Sequence, residues 1–174
     1  MNIDLSPVKL RIYPDPILKK KSEALSLPLP ENLEEAGKKM LEIMYEHKGI
    51  GLAGPQAGLS LRLIVFDLSE ARNEPHVLIN PEIVYASKEK VKEEEGCLSF
   101  PEIHGYVIRH ERVKVKGLTL KGEEVELEGE ELMAAMFQHE IDHLDGIAFV
   151  DRLGATGKMK VRQQLEDLKD NFAE

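Results

Sequence analysis

The sequence predicts an α+β fold: mixed or antiparallel strands packed around a central helix, with an N-terminal and a C-terminal helix beside them. Three stretches place apolar residues at the three- and four-residue spacing of a helix. The strand-like segments cluster between these helices without the regular alternation of a parallel sheet. The chain has 174 residues, of which 42% are hydrophobic, so we expect a single domain over residues 1–174 with its own core.

The first helix is predicted from about residue 31 to residue 47, and Gly49 ends it. Its apolar residues at helical spacing are Leu33, Ala36, Met40, Leu41 and Met44. The next ten residues, GIGLAGPQAG at 49–58, contain four glycines and a proline. This composition predicts an irregular loop.

The strand-like segments are 61–67, 76–79, 82–86, 112–116 and 125–127. Lys121-Gly122 predicts a hairpin turn between the last two segments. Cys97 stands between glycine and leucine, just before Ser-Phe-Pro, which predicts an irregular, exposed segment. The acidic runs at 93–95 and 123–131 are predicted to be solvated turns and surfaces.

The second helix is predicted from about residue 130 to residue 144, and Gly146 is well placed to end it. A third helix is predicted near the C-terminus from a stripe of apolar residues. The members of this stripe are Val161, Leu165, Leu168 and Phe172.

Composition excludes several classes of function. The net charge of −9 disfavours direct binding to nucleic acid, because a polyanion is repelled by an acidic protein. No apolar run is long enough to cross a membrane, and the first residues lack the pattern of a secretion signal. Cys97 is the only cysteine, so no internal disulfide forms. These features predict a cytoplasmic protein.

The second helix contains FQHEIDHLDG, residues 137–146. His139 and His143 lie four residues apart and therefore point in the same direction on a helix. Glu140 lies next to the first histidine. This H-E-x-x-H arrangement is typical of two metal ligands and a general base. The helix is apolar on two sides, and burying these groups without a partner is costly, which favours a bound metal.

A catalytic zinc usually has three protein ligands and one position free for water or substrate. The residues alone do not decide which one is the third ligand. A pattern with a third histidine fails because Phe149 stands at that position. Glu166 with Asp170 fits the spacing of a zinc endopeptidase, which is the alternative enzyme. Cys97 is the other candidate. A structural metal in a binding protein needs a fourth ligand, for which His104 is the nearest residue.

Three segments together resemble the motifs of peptide deformylases, in the order that family has them. They are GIGLAGPQ (49–56), EGCLS (95–99) and QHEIDHLDG (138–146), and RIYPDPILKK resembles the family's N-terminal segment. The family usually has alanine where Gly54 stands, a departure expected to loosen the first loop. The resemblance implies an α+β catalytic domain in which the metal helix packs against mixed strands. It also implies hydrolysis of the N-formyl group from the formyl-methionine of newly made polypeptides, with release of formate.

The resemblance also implies the roles of individual residues. The implied metal ligands are Cys97, His139 and His143. Glu140 acts as general base and then general acid as metal-activated water attacks the formyl carbon. Gln56 and the backbone N–H of Leu98 stabilise the oxyanion.

Further residues are implied to bind the substrate. Its backbone pairs as an added strand with Ile50, Gly51 and Gly96. The methionine side chain enters an apolar pocket to which Leu132, Ala135 and Met136 contribute. Glu95 and Arg109 pair and brace the second motif.

A thiolate with two imidazoles suits Fe(II), Zn(II), Ni(II) or Co(II) and does not suit magnesium or calcium. The resemblance favours Fe(II), with the other three as substitutes. It implies formyl-methionyl nascent polypeptides as partners, and some members of the family dock on the ribosome through a basic terminal helix. Here four terminal cations are balanced by four acids, which argues against such docking. These residues are Lys158, Lys160, Arg162, Lys169, Glu166, Asp167, Asp170 and Glu174.

Overall fold

A computed structural model describes residues 2–173 of the chain. In this region the fold contains three α helices and seven strands, which confirms the α+β prediction. The helices are α1 (Leu33–Glu46), α2 (Glu131–Leu144) and α3 (Ala155–Ala173). Three short 3-10 turns lie at Pro16–Lys19, Gly54–Ala57 and Phe149–Arg152.

The strands form two antiparallel sheets. They are β1 (Gly51–Ala53), β2 (Leu63–Phe66), β3 (His76–Ala86), β4 (Lys90–Cys97), β5 (Phe100–His110), β6 (Arg112–Leu118) and β7 (Glu124–Glu130). Five of them form one sheet in the order β1-β2-β3-β6-β7, and β4 pairs with β5 in a separate hairpin. Every strand pair is antiparallel.

The segments predicted as two strands at 76–79 and 82–86 are one strand, β3. Pro81 lies inside this strand, although proline lacks the N–H that a strand interior needs. In the structure the pairing with β6 shifts its register between Ile79 and Glu82. The proline therefore lies where the ladder of hydrogen bonds is already interrupted.

The prediction of an irregular loop at residues 49–58 was wrong. This segment contains β1, which pairs with β2, followed by a 3-10 turn. The expectation that Gly54 loosens the segment was also wrong. A Cβ at Gly54 would lie 2.8 Å from the carbonyl oxygen of Leu59 and closer still to that of Leu61, so glycine permits a close approach of two backbone segments.

The β4–β5 hairpin was not predicted. Most of β4 is exposed or half-buried, so its sequence lacks the apolar alternation that indicates a strand. The expectation of an irregular segment around Cys97 was wrong, because Cys97 is the last residue of β4. The acidic run is solvated at Glu93 and Glu94, but the side chain of Glu95 is only 9% exposed.

Helix α2 lies between the five-stranded sheet and the hairpin, in contact with β1, β5, β6 and β7. Phe137 and Leu144 are fully buried on the sheet side, where Phe137 meets Phe66 edge-to-face at 5.3 Å. Two of its acidic residues, Glu140 and Asp142, are buried too. The central helix therefore combines a core-packing face with a polar buried face.

Helix α3 packs on β5 through Val161, which is buried, and through the half-buried Leu165 and Leu168. The predicted stripe was wrong at Phe172, which is 53% exposed. Over residues 2–173, no helix has both the length and the apolar character needed to cross a membrane.

Candidate active site

The structure brings Cys97, at the end of β4, next to two histidines on α2. One ligand atom from each of Cys97, His139 and His143 lies within 4.8 Å of the others. The Cys97 Sγ is 3.3 Å from His143 Nε2. A thiolate and two imidazoles at this separation fit one borderline or soft divalent ion.

The orientation of His139 is set by Glu95. The Nδ1 atom of His139 lies 2.9 Å from a carboxylate oxygen of Glu95. A hydrogen bond at Nδ1 leaves Nε2 free to face the cluster, which is how carboxylates orient ligand histidines at metal sites. The ring of Phe149 stacks on His139 with centroids 6.1 Å apart and supports this orientation.

Behind Glu95 lies a buried network of opposite charges. Arg109 donates two hydrogen bonds to Glu95, at 2.8 and 2.9 Å, and one to Asp142 at 2.7 Å. Arg152 donates two more to Asp142. The network connects β4, β5, α2 and the turn at 149–152, so it fixes the distance between Cys97 and the histidines. The sequence analysis anticipated the Glu95–Arg109 pair but not the roles of Asp142 and Arg152.

We expect Glu95→Gln to lower the free energy of unfolding of the metal-free protein by about 3 kcal/mol near pH 7. Burial alone would raise the pKa of Glu95, but hydrogen bonds from Arg109 and His139 outweigh it and lower this pKa from 4.5 to about 2. A depressed pKa stabilises the fold above about pH 4.5, and this contribution is lost as the pH falls towards 2. Urea unfolding of the variant and of the unsubstituted protein at pH 7, 4 and 3 measures this contribution to the free energy of unfolding.

The control for this prediction is Glu94→Gln, because Glu94 is the exposed neighbour of Glu95. It should leave the pH dependence of stability as in the unsubstituted protein. The assigned network predicts that the difference in free energy of unfolding between the Glu95→Gln variant and the unsubstituted protein shrinks at low pH. A difference that stayed constant from pH 7 to pH 3 would contradict it.

Gln56 lies at the other side of the cluster, in the 3-10 turn after β1. Its Oε1 accepts a hydrogen bond from the backbone N–H of Ala53 at 2.9 Å. The Nε2 donor is therefore turned towards Cys97 Sγ and Ser99 Oγ, each at 3.3 Å. The amide thus presents its donor side to the thiol.

Glu140 is buried on α2, between the two histidines in sequence. Among the described residues, its Oε1 atom has no hydrogen-bond partner. A Cβ on Gly51 would lie 2.8 Å from its other oxygen, so the carboxylate lies directly against β1. Burial raises the pKa of Glu140 to about 7 in the metal-free protein, although the charge of His139 opposes this rise. A carboxyl group with this pKa exchanges a proton near neutral pH.

The surroundings of the two histidines favour a cation. Burial would lower the pKa of His139, but the negative charges of Glu140, Cys97 and Glu95 raise it well above its usual value. Burial, with the positive charges of His139 and Arg109, lowers the pKa of His143. The acidic groups of the site therefore stabilise a positive charge beside His139, and the lowered pKa keeps His143 uncharged near neutral pH.

A cavity of about 500 Å³ opens in front of the cluster. It is bordered by β1, by the end of β4 and by the first half of α2. All the residues that the resemblance implies for substrate binding line it: Ile50, Gly51, Gly96, Leu132, Ala135 and Met136. Gln56, Leu98, His139, Glu140 and Cys97 line it as well.

The sequence model of the polypeptide deformylase family matches residues 7–159. The chain belongs to this family. It is 46% identical over 159 residues to the peptide deformylase of Acidobacterium capsulatum, covering 90% of this chain and 92% of that one. It is 41% identical over 160 residues to the peptide deformylase of Thermotoga maritima, covering 92% and 95%.

A solved peptide deformylase from Plasmodium falciparum has the same fold. The two structures superpose with a TM-score of 0.88 at 39% identity, over 95% of this chain and 97% of that one. Deformylase-family membership makes the chain a hydrolase of protein biosynthesis. Together with the Cys97, His139 and His143 cluster, membership also indicates a divalent metal.

The alternative ligands lie outside this cluster. Glu166 is exposed on α3, and the group of metal-ligating side chains found in residues 2–173 does not include it. His104, the candidate fourth ligand, lines the cavity over Gly96 and is absent from the same group. Among the described residues, the cluster of this deformylase-family chain therefore offers three candidate ligands, the number typical of catalytic metal sites.

A second polar network in this deformylase-family structure was missed by the sequence analysis. Asp67 is fully buried and accepts a hydrogen bond from the Tyr45 hydroxyl at 2.6 Å. Arg72 donates to the backbone oxygens of Asp67 and Gly49. The network holds the Gly49–Ile50 backbone at the cavity wall. An aspartate directly after an apolar strand was the available signal, but its partners are distant in sequence.

Proposed function

We propose that this chain removes the N-formyl group from the formyl-methionine of newly made polypeptides and releases formate. The observation that carries the proposal is the Cys97, His139 and His143 cluster beside Glu140, at the closed end of an apolar cavity. Membership in the polypeptide deformylase family supports it. We also propose that residues 1–174 form one catalytic domain.

We assign the metal ligands to Cys97, His139 and His143. Their side chains fit a divalent ion, because their ligand atoms converge and the surrounding acids favour positive charge. Such an ion supplies Lewis-acid activation of water near neutral pH. A thiolate with two imidazoles suits Fe(II), zinc, nickel or cobalt, and the likeness to the deformylase family favours Fe(II) with the other three as substitutes.

Glu140 is assigned both proton transfers. Its unpartnered oxygen accepts the proton of the attacking water, and the protonated carboxyl group then donates to the nitrogen of the leaving amine. Without this second transfer, the amine would have to leave as an anion.

Gln56 and the backbone N–H of Leu98 are assigned to the oxyanion that develops on the formyl group. The amide of Gln56 is held by Ala53 with its donor nitrogen directed at Cys97, so it needs no reorientation during the reaction. One preorganised donor of this kind is typically worth about 3 kcal/mol of transition-state stabilisation.

The rest of the cavity is assigned to the first residue of the polypeptide. The β1 strand is an edge of its sheet, so Ile50 and Gly51 can pair with a substrate backbone opposite Gly96. Ala135 and Met136 on α2 offer apolar surface for the methionine side chain. Leu132 is 58% exposed at the rim and can cover that side chain.

We expect rapid release of formate from formyl-Met-Ala-Ser and no detectable acetate from acetyl-Met-Ala-Ser. The acetyl group carries one extra methyl on the attacked carbon, which we expect to clash with Gln56, Leu98 and Glu140 around that carbon. A clash at the reacting carbon acts on the transition state and lowers the rate directly. Mass spectrometry of both peptides after incubation with metal-loaded protein measures the two products.

The same experiment separates the alternative functions. A zinc endopeptidase would cut internal bonds in both peptides, and a protein with only a structural metal would leave both intact. Either result with fully metal-loaded protein would refute the deformylase assignment.

A cytoplasmic location follows from the same proposal, because nascent polypeptides are the substrate. Contact with the ribosome is not supported by the terminal helix, because α3 carries acids as well as cations. Lys158 and Lys160, for example, are followed by Glu166 and Asp167 on the same helix.

A further inference from the structure

A second cavity, which we call the hairpin groove, lies beside the active-site cavity. It has a volume of about 580 Å³ and runs between the β4–β5 hairpin and the start of α3. Lys92, Tyr106 and Ile108 line its hairpin side, and Gly157 and Lys160 line its helix side. None of these residues has a part in the proposed reaction.

The hairpin groove adjoins the active-site cavity. Glu94 and His104 line both. In the hairpin, Gly96 pairs with His104, Glu94 with Tyr106 and Lys92 with Ile108. His104, Tyr106 and Ile108 alternate along β5 and therefore face the same side. A chain that leaves the metal site past Gly96 thus meets these three side chains in order.

The hairpin side of the groove carries two exposed apolar side chains among polar ones. Tyr106 is 57% exposed and Ile108 is 61% exposed, two large side chains next to each other on one face. Lys92 Nζ lies 5.9 Å from the centre of the Tyr106 ring. Adjacent exposed apolar residues with a polar border are typical of a binding surface. On the opposite side Gly157 contributes no side chain, which keeps the groove open.

We propose that the hairpin groove binds residues four to seven of the formylated polypeptide, with their apolar side chains on Tyr106 and Ile108. This inference rests on the proposed function. The distance from His104 to Ile108 is four residues of strand, about 13 Å, and four residues of extended peptide cover the same distance. The groove thus selects substrates by sequence well beyond the methionine.

The continuation of the substrate is a better occupant than a second copy of this chain. The groove shares Glu94 and His104 with the cavity proposed to hold the first residue, so the next residues of the same polypeptide can reach it. A stable dimer buries about 800 Å² on each partner, and two exposed apolar side chains supply only a small part of such an area.

The test compares the turnover of four peptides by the metal-loaded protein. They are formyl-Met-Ala-Ser and its extensions by Ala-Leu-Ala-Leu, Leu-Ala-Leu-Ala and Gly-Ser-Gly-Ser. The two leucine peptides differ in which residues face the hairpin. We expect the better of the two leucine peptides to have a kcat/KM about fivefold higher than that of the Gly-Ser peptide. A leucine side chain that becomes partly buried on binding has an effect of about this size. The gain should come from KM, because the groove lies outside the reacting centre.

Substitutions in the groove test whether its side chains cause this gain in kcat/KM. In the double variant Tyr106→Ala, Ile108→Ser, the ratio of leucine to Gly-Ser peptide should fall to about one. Tyr85→Ala is the matched control, because Tyr85 is 47% exposed on β3 and also lies beneath a lysine, Lys114, at 5.8 Å. It should keep the fivefold ratio.

A cross-linking experiment locates the bound peptide without measuring turnover. The product peptide Met-Ala-Ser-Ala-Leu-X-Leu, with X the photoreactive residue benzoylphenylalanine, should label β5 near residues 106–108 in peptide mass maps. Labelling elsewhere, or equal turnover of the leucine and Gly-Ser peptides, would overturn the groove assignment while formate release upheld the proposed function.

Two further outcomes are distinguishable. If none of the four peptides releases formate, the proposed function itself fails, and the groove assignment fails with it. If light scattering shows a dimer that the double variant dissociates, the face belongs to a second copy and the groove assignment is overturned.

Discussion

Replacing Glu140 by alanine is expected to leave the metal bound and to lower kcat by about 10,000-fold. General acid-base groups typically contribute about 100- to 10,000-fold, and here one carboxylate serves both proton transfers, which places the expected effect at the upper end. The metal should stay because Cys97, His139 and His143 keep their contacts. Formate release from formyl-Met-Ala-Ser, together with elemental analysis of the same sample, measures both quantities.

Glu140→Gln is the companion variant, since it keeps the size of the side chain and removes only its proton-transfer ability. We expect the same loss of kcat as for alanine. Glu94→Ala removes an exposed carboxylate at the cavity rim and should retain kcat within a few-fold. A metal-loaded Glu140→Ala protein with nearly normal kcat would assign the proton transfers to another residue.

Replacing Cys97 by alanine is expected to reduce the bound metal to well below one ion per chain and to abolish turnover with it. Two histidines alone are a weak site, because three protein ligands are the rule for catalytic zinc. Glu166→Gln should keep the full metal content, since Glu166 is exposed on α3. Elemental analysis of both purified variants makes the comparison.

Circular dichroism of the Cys97→Ala variant provides the control for folding. The thiol is one of two acceptors of the Gln56 amide, and Ser99 Oγ remains as the other, so the fold should persist. A folded Cys97→Ala protein with a full complement of metal would refute this ligand set. Metal loss in Glu166→Gln would revive the endopeptidase alternative.

The sequence by itself determined the features that depend on neighbouring residues. The spacing of His139 and His143 places both on one face of a helix, and the structure contains that helix as α2. The three helices and the Lys121-Gly122 turn are local in the same sense. Each can be read from a window of a few residues, because helix and turn geometry is set by short-range contacts.

Only the tertiary structure decided what those local features meet. Cys97 and His143 are 46 residues apart in sequence but 3.3 Å apart in space, and from the residues alone Glu166 was an equal candidate. Glu93, Glu94 and Glu95 are identical in sequence terms but differ in their surroundings. Only Glu95 contacts Arg109 and His139. The hairpin that carries it was hidden, since strand pairing comes from long-range backbone hydrogen bonds that an exposed, charged sequence does not reveal.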